Sequence, residues 1–429
     1  MTAQTQVIVA VIIFLLTYGF IISEKMHRMV VAMLGAVVFL LVGILSQEDA
    51  IHAIDFNTLG LLIGMMIIVG ITRRTGVFEF IAVKAVKVAK GEPLRILVLL
   101  STVTAVASAF LDNVTTVLLV VPVTFSIAQE MDVNPMPFLI SEILASNIGG
   151  TATLIGDPPN IMIGSSTGLS FNDFILNLTL PIVIIFIANM VILRFLYRND
   201  LVTTEERKAR VVAFDEREQI KDWALLKKSL FVLALTILGF ILHGLFGLES
   251  ATIALAGAIL LLAITREEPE DILLHVEWPT IFFFVGLFVL VGGLEHLGII
   301  CWIAQEGLKL TGGLLGPTAM FVLWISAIAS AFVDNIPFVA TMIPMIKAMG
   351  EMSGMNLNPL WWSLALGACL GGNGTLIGAS ANVIVAGLAE KNGFPISFMG
   401  FMKVAFPLML ISIVISTVYV GVRYLGWLF

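Results

Sequence analysis

Two acidic residues lie inside long apolar stretches, and each is followed by asparagine. Asp112-Asn113 occurs in the first half of the chain and Asp334-Asn335 in the second, 222 positions later (334 − 112). A carboxyl group within a bilayer-length apolar segment is costly to bury, and such residues usually mark an ion or proton pathway. Because the protonation of a desolvated carboxyl group responds to a nearby cation, we expect both aspartates to bind or couple ions. The alternative is structural, with each aspartate capping a helix.

A second motif of small and polar residues also occurs twice, as GGTATLIGDPPN at 149–160 and GGNGTLIGASAN at 371–382. Glycine permits unwinding and close approach of a substrate, and proline removes backbone donors. A helix broken here presents half-helix ends and free carbonyl groups, which bind ions without charged side chains. The alternative is that these residues serve only helix packing. Beyond the two aspartates, the expected binding residues are Asn113, Thr115, Gly150, Thr151, Thr153, Asp157, Asn160, Asn335, Gly372, Asn373, Thr375 and Asn382.

The two copies differ at positions where we expect substrate choice to be decided. Each residue of the first copy stands 222 positions before its counterpart in the second: Asp157 and Ala379, Thr151 and Asn373, Thr115 and Pro337. Glu142 precedes the first break and corresponds to Leu364. It is a candidate proton carrier, with a structural role near a helix end as an equal alternative.

Composition places the chain in a membrane. Its 429 residues are 59% hydrophobic and 12% charged, with a mean hydropathy of +1.04, whereas soluble domains carry about 25% charged residues. The charges lie mostly in loops and form no basic patch, so no nucleic-acid partner is expected. The two cysteines, Cys301 and Cys369, lie in unrelated segments, so neither a disulfide nor a metal cluster is expected. No cofactor is expected beyond a coupling ion, either H⁺ or Na⁺.

The predicted fold is an all-α polytopic membrane protein with an inverted-topology repeat, two re-entrant hairpins and two broken transmembrane helices. A straight helix would expose Asp112-Asn113 to lipid, whereas a re-entrant hairpin buries them in protein. Five crossings in each half would invert the second half, as in many secondary transporters, and give about ten full crossings. The hairpins are expected at 93–130 and 317–351 and the broken helices at 138–165 and 359–388, and the other expected crossings are 6–22, 28–46, 57–72, 178–197, 228–246, 250–265, 279–293 and 401–427.

The repeat also predicts the domain limits and the orientation. Residues 1–197 form the first repeat, 198–227 a hydrophilic cytoplasmic linker and 228–429 the second repeat. The first apolar run lacks a basic flank and a cleavage site, so we interpret it as a mature helix. Lys25, Arg28, Arg73, Arg74 and the basic linker fall on one side, which the positive-inside rule assigns to the cytoplasm. We therefore expect a multi-pass protein of the cell membrane with both termini outside.

At these motifs the sequence resembles the ion transporter superfamily, in its branch of arsenite permeases, NhaD-type antiporters and melanosomal P proteins (a citrate-transporter-like domain). LDNVTT at 111–116 and NIGGTATLIGDPPN at 147–160 carry the resemblance, which covers nearly the whole chain. It implies a scaffold domain and a transport domain with two opposed hairpins, commonly in a homodimer that moves substrate by an elevator-like motion. If the protein is an arsenite pump, a cytoplasmic ATPase subunit is a further expected partner.

The sequence departs from related divalent-anion symporters, which carry Ser-Asn-Thr at the hairpin tips and Gly-Thr-Pro-Pro-Asn at the break. Asp112, Asp334 and Asp157 stand at those places. Three carboxylates around one cavity would repel a dicarboxylate, but they suit a cation, a proton or a neutral oxyacid.

We therefore expect a transporter of a small inorganic substrate rather than an enzyme. The leading hypothesis is proton-coupled efflux of arsenite or antimonite by an elevator-type mechanism, followed by sodium–proton antiport and then by sodium-coupled dicarboxylate or citrate symport. A passive channel would not need hairpins that enter from opposite sides. An intramembrane aspartyl protease with Asp112 and Asp334 as its dyad would leave the broken helices unexplained.

Overall fold

A computed structural model of the protein describes residues 2–23 and 25–427. In these residues the chain forms α-helices and two short 3-10 helices, with no strand. The first half contains α1 (Ala3–Ser23), α2 (Arg28–Val42), α3 (Gln47–Ala53), α4 (Phe56–Arg74), α5 (Val77–Val88), α6 (Pro93–Phe110), α7 (Asn113–Met131), α8 (Met136–Gly150), α9 (Pro158–Thr167) and α10 (Phe171–Leu196).

The second half repeats this order helix for helix after a polar linker. The linker contains α11 (Glu205–Val212) and a 3-10 helix (Arg217–Gln219), and the next apolar helix begins at Trp223, before the predicted start at 228. The second half contains α12 (Trp223–Phe246), α13 (Ser250–Thr265), α14 (Pro269–Leu273), α15 (Trp278–His296), α16 (Ile299–Leu310), α17 (Leu315–Phe332), α18 (Asn335–Ser353), α19 (Asn358–Gly371), a 3-10 helix (Leu376–Gly378), α20 (Ser380–Lys391) and α21 (Phe398–Tyr424).

The lengths of these helices confirm the predicted fold class, a multi-pass helical membrane protein. Over the described ranges, nine helices are long and apolar enough to cross a bilayer, namely α1, α4, α6, α7, α10, α12, α15, α17 and α21. Helices α2 and α13 are shorter but apolar. The pairs α8/α9 and α19/α20 are the two broken helices, and α6/α7 and α17/α18 are the two hairpins. Each half thus contains five crossings and one hairpin.

The two hairpins turn sharply at the predicted polar sites. Leu111 and Asp112 join α6 to α7, and a side-chain oxygen of Asp112 accepts a hydrogen bond from the Thr115 amide at 2.8 Å. Asp334 likewise accepts from the Ile336 amide at 3.0 Å. Both aspartates therefore cap the second arm of their hairpin. The other carboxylate oxygen of Asp112 accepts from the Thr115 hydroxyl at 2.5 Å, whereas that of Asp334 has a partner outside the hairpin.

The helices form two packed sets. In the first, the scaffold helices, α2 packs on α15 and α4 on α13, and α1 and α12 lie against these pairs. In the second, the hairpin helices, α6 packs on α8 and α17 on α19. Both sets depend on small residues at the contact: a Cβ on Gly64 would lie 2.6 Å from the Ala254 carbonyl carbon, and one on Gly149 would lie 2.1 Å from the Ala105 oxygen. Such close approach is typical of helix packing in membranes.

The linker identifies one side of the molecule, which we call the linker side. The Lys221 amide donates to the Thr75 carbonyl, at the end of α4, at 2.9 Å. Lys208 pairs with Glu92, at the start of α6, at 2.8 Å. Arg74 pairs with Glu267, just after α13, at 2.8 Å. The last turns of α4 and α13 and the first turns of α6 and α15 therefore lie on the linker side, which the charge pattern predicts to be cytoplasmic.

We expect Gly149→Ala and Gly371→Ala to destabilise the protein, because an added Cβ would meet backbone atoms of the hairpin arm, the Ala105 oxygen at 2.1 Å and the Ala327 oxygen at 2.5 Å. Overpacking of this kind costs about 1–3 kcal/mol. The measurement is the thermal unfolding midpoint in detergent. Gly19→Ala is the matched control, since nothing lies within 4 Å of its Cβ. Equal midpoints for all three variants would contradict the close packing.

Candidate functional site

The two hairpin tips meet at Asp157, at the start of the half-helix α9. The side-chain amide of Asn113 lies 3.4 Å from a carboxylate oxygen of Asp157, and that of Asn335 lies 3.4 Å from the same oxygen. Asp157 is fully buried. Both contacts are long for a hydrogen bond, so the protein's own donors compensate a charge on Asp157 only weakly. A buried carboxyl group in this position favours a bound proton or cation.

Asn147 connects the two halves and was missed in the sequence analysis. Its side-chain oxygen accepts from Asn113 at 3.0 Å, and its amide donates to Asn373 and Asn382 at 2.9 Å each. The sequence signal was present, because Asn147 lies just before the first glycine pair. Its counterpart by the repeat is Cys369, whose thiol lies 3.6 Å from the Asn160 side-chain oxygen. The two repeats thus make equivalent contacts, Asn147 with Asn382 and Cys369 with Asn160, but the donor is an amide in one and a thiol in the other.

Most of the other predicted residues hold the helix breaks together. The Asn160 amide donates to the carbonyls of Thr151 (3.0 Å) and Thr153 (2.8 Å). In the second half, the Asn382 amide donates to those of Gly372 (2.8 Å) and Thr375 (2.9 Å). These bonds satisfy carbonyl groups that unwinding left without helical partners.

The threonines and glycines of the breaks tie them to the hairpins. The Thr375 hydroxyl donates to the Ala331 carbonyl at 2.5 Å, and Thr153 makes the equivalent bond to Ala109. A Cβ on Gly150 would lie 2.6 Å from the Gly156 oxygen, so only glycine fits this close approach. The breaks therefore have a fixed shape.

Asp334 is paired with an arginine from the scaffold helices. The Arg28 guanidinium, at the start of α2, lies 2.7 Å from an Asp334 oxygen, and both groups contact the Ser380 hydroxyl at 2.5 and 3.1 Å. Arg28 also lies over the ring of Phe283, 5.1 Å from its centre. In the sequence, Arg28 is recognisable only as one of the basic residues that mark the orientation, because its proximity to Asp334 depends on long-range packing.

A small cavity lies where these groups meet. Its volume is about 20 Å³, room for roughly one water molecule or one unhydrated ion. Its polar lining comes from both hairpin tips, both breaks and the scaffold, and comprises Arg28, Asp112, Asn113, Asp157, Glu277, Thr280, Asn335 and Ser380. Among the described residues no three carboxyl, imidazole or thiol groups are placed to hold a metal ion, so an ion here would need amide or hydroxyl oxygens as well.

Glu277 is a second residue that the sequence analysis missed. It lies just before α15, and its carboxylate accepts from the Thr280 hydroxyl at 3.1 Å. The repeat gave a signal, since its counterpart is Asp55, a helix-capping aspartate. With Asp112 and Asp157, Glu277 makes three carboxyl groups around one cavity, and Asp334 is a fourth at its edge.

Glu142 is buried away from this cavity. It lies on α8, and one carboxylate oxygen accepts from the Thr124 hydroxyl at 2.6 Å, whereas the other has no partner in the described part of the chain. Its role as a proton carrier stays a prediction.

A larger cavity of about 320 Å³ opens beside the small one. Arg28 and Ser380 line both cavities, and Asp334 and His27 line the larger one. Because α2 begins beside the first turns of α15, which lie on the linker side, the larger cavity leads from that side towards the site.

Sequence comparison identifies the family of this site. The profile of a family described as citrate transporter matches residues 18–367. The chain belongs to this family. It is 43% identical over 423 residues to Rv2684 of Mycobacterium tuberculosis, named an uncharacterized transporter, with 97% of this chain and 98% of that protein covered. It is 35% identical to the human P protein over 512 residues, covering 99% of this chain and 61% of the P protein.

Structural comparison supports the same fold for this citrate transporter family member. The YdaH transporter of Alcanivorax borkumensis, whose crystal structure shows an unusual topology, aligns with a TM-score of 0.58 at 14% identity, covering 88% of this chain and 87% of that one. This likeness concerns the fold alone. The family profile and the P protein match confirm the resemblance to the ion transporter superfamily. The protein is a secondary transporter.

We expect Asn147→Ala to abolish transport and to lower stability, because it leaves the side-chain oxygens of Asn373 and Asn382 without their donor and the Asn113 amide with only its long contact to Asp157. Each buried group left unsatisfied costs about 1–3 kcal/mol. Asn189→Ala is the matched control. Asn189 is equally buried and donates to the Ile185 carbonyl and the Ser412 hydroxyl, away from the cavity. Substrate uptake into proteoliposomes should survive in the control and disappear in Asn147→Ala. Retained uptake in Asn147→Ala would contradict a role at the site.

Proposed function

We propose that the protein exchanges a small inorganic substrate for protons by an elevator-type alternating-access mechanism. The observation that carries this proposal is the cluster of carboxyl groups around a cavity of about 20 Å³. Asp112, Asp157 and Glu277 line it, and among the described residues of the lining only Arg28 offers a positive charge. In a medium of low dielectric, several like charges at this spacing cannot all stay uncompensated. Protons or cations must therefore bind at the site to neutralise these carboxyl groups.

A monovalent cation such as sodium fits this cavity best, so sodium–proton antiport is the first candidate. The cavity holds about one unhydrated ion, with carboxylate oxygens and the side-chain oxygens of Asn113 and Asn335 nearby. A site that binds either a cation or protons, but not both together, exchanges one for the other. The carboxylate oxygens bind the cation in one state and carry the protons in the other.

Efflux of arsenite or antimonite is the second candidate. The resemblance of the sequence motifs to arsenite permeases favours it, whereas the size of the cavity does not. At neutral pH arsenous acid is uncharged, and its hydroxyl groups suit the side-chain amides of Asn113 and Asn335, which line the cavity. It is larger than the observed cavity, so the hairpin tips would have to separate to admit it. A homodimer, and for arsenite a cytoplasmic ATPase subunit, are further proposals that rest on the resemblance.

Citrate or a dicarboxylate is the weakest candidate despite the family description. A multiply charged anion would face the carboxyl groups of Asp112, Asp157 and Glu277, with Arg28 already paired to Asp334. The cavity is also much smaller than a six-carbon acid. To bind such a substrate, the protein would need a larger cavity with more positive charge than the one observed.

The cargo is tested in proteoliposomes with an imposed pH gradient, with sodium, lithium, arsenite, citrate and succinate assayed in parallel. We expect sodium or lithium to drive proton movement, read by a pH-sensitive dye inside the vesicles, in the absence of the other substrates. Arsenite movement without a cation response would favour the second candidate. Citrate or succinate uptake would contradict the charge argument.

We expect Asp112→Asn, Asp157→Asn and Asp334→Asn each to abolish coupled transport while the protein still folds, because asparagine keeps the shape of the side chain without its charge. Proton-coupled flux should fall at least about 100-fold, the effect of losing a charge contact worth several kcal/mol. Asp132→Asn is the control, since this aspartate lies at the end of α7 and pairs only with Arg207 of the linker in the described residues. Wild-type flux in all three site variants would show that Asp112 and Asp334 only cap their helices and that transport does not need the Asp157 carboxyl group.

A further inference from the structure

The two halves of the site meet the scaffold helices unequally. The repeat pairs Arg28 with Ser250 and Glu277 with Asp55, the first member of each pair on the linker side and the second on the opposite side. The linker-side members both reach the site: Arg28 binds Asp334, and Glu277 lines the small cavity with Asp112. Asp55 instead accepts from Ser165 of α9 at 2.8 Å, and Ser250 lines a separate cavity. The structure therefore shows the linker-facing state.

The inverted repeat also describes the opposite state. In transporters of this type the two repeats exchange their conformations when the site moves across the membrane. Each contact between the hairpins and the scaffold is then replaced by the contact between the counterpart residues. The Arg28–Asp334 pair is replaced by Ser250 facing Asp112, and Asp334 faces Asp55. The site thus loses its arginine and keeps its aspartates.

We propose that Arg28 is a tethered counter-ion, which neutralises Asp334 in the linker-facing state and is withdrawn from it in the opposite state. The inference rests on the proposed alternating access but not on the identity of the cargo. In the opposite state, Asp334 lies beside Asp55 and needs a proton or a cation from solution. On return to the linker-facing state, Arg28 takes the place of that cation.

The geometry around Arg28 suits such a displacement. Its guanidinium contacts both Asp334 and Ser380, and it lines both the small cavity and the larger one that opens towards the linker side. A cation displaced from Asp334 would therefore leave past Arg28 into the larger cavity. Arg28 belongs to the scaffold, whereas Asp334 belongs to the hairpin helices, so their pairing depends on the relative position of the two sets.

Arg74 provides a matched comparison within the scaffold helices. It pairs with Glu267 at 2.8 Å, and its exposed side-chain fraction of 31% is close to the 29% of Arg28. Both residues of this pair lie in or directly beside the scaffold helices α4 and α13, which do not move relative to each other in an elevator-type cycle. Loss of the Arg74 pair therefore affects the two states equally, whereas loss of the Arg28 pair affects only one.

The test uses two double-cysteine reporters in a Cys301→Ser background. Tyr18→Cys/Thr341→Cys, joined by a bifunctional thiol reagent long enough to replace the tyrosine ring, reports the linker-facing state, because the Tyr18 and Thr341 hydroxyl groups are 3.1 Å apart across the scaffold and the second hairpin. Leu119→Cys/Phe240→Cys replaces their counterparts, which should meet only in the opposite state. We expect Arg28→Gln to change the ratio of the two cross-linking yields about five- to tenfold towards the second reporter, a usual size for a coupling effect. Arg74→Gln should leave this ratio unchanged.

A double substitution keeps the test decisive. Arg28→Gln/Asp334→Asn leaves no uncompensated carboxylate in the linker-facing state, so its ratio should lie nearer to that of the wild type than the ratio of Arg28→Gln does. Arg28→Lys keeps a positive charge and should also give an intermediate value. Each variant is first checked for a single symmetrical peak in size-exclusion chromatography. If Arg28→Gln is not monodisperse, the comparison of Arg28→Lys with Arg74→Lys replaces it. Equal ratios for the Arg28 and Arg74 variants would overturn the proposal, whatever the proteoliposome assay shows about cargo.

Discussion

A helix that ends in the middle of a membrane leaves its last carbonyl groups without partners, and the rest of this structure depends on how they are satisfied. Asn160 and Asn382 each donate two hydrogen bonds to carbonyl groups of their own break. Water cannot do this within the bilayer core, and each unsatisfied group would cost several kcal/mol. The two asparagines thus make the breaks stable. Stable breaks in turn bring Asp157 to the hairpin tips.

The same polar network that stabilises the breaks also links the two halves of the chain. Asn147 joins the first hairpin to the second break, so the site cannot form from one repeat alone. In the second repeat, the Cys369 thiol occupies the position of Asn147, and its contact with Asn160 is weaker than the hydrogen bonds of the Asn147 amide. The network is therefore centred on the first repeat, and so is the buried charge, since Asp157 has no acidic counterpart. This asymmetry distinguishes a site for one cargo from a symmetric pair of sites.

The scaffold contributes charged side chains to the site only from the linker side. Arg28 and Glu277 reach the site from the linker side, and their counterparts Ser250 and Asp55 do not reach it in this state. Electrostatics therefore distinguishes the two ends of the transport path, even though the backbone is nearly symmetric. Small residues such as Gly64 and Gly286 keep the scaffold helices in close contact with one another.

The sequence by itself determined the class of the fold and the composition of its polar centre. Apolar runs of bilayer length, a repeat at one offset and aspartates beside asparagines predicted the hairpins, the breaks and the convergence of Asn113, Asn335 and Asp157, because burying polar groups in lipid allows few other arrangements. Only the tertiary structure decided which of these residues line the cavity and which hold the breaks. It also brought in Arg28, Glu277 and Asn147. Their roles depend on which helix ends lie side by side, and that depends on packing between residues some 120 to 300 positions apart, which no local pattern records.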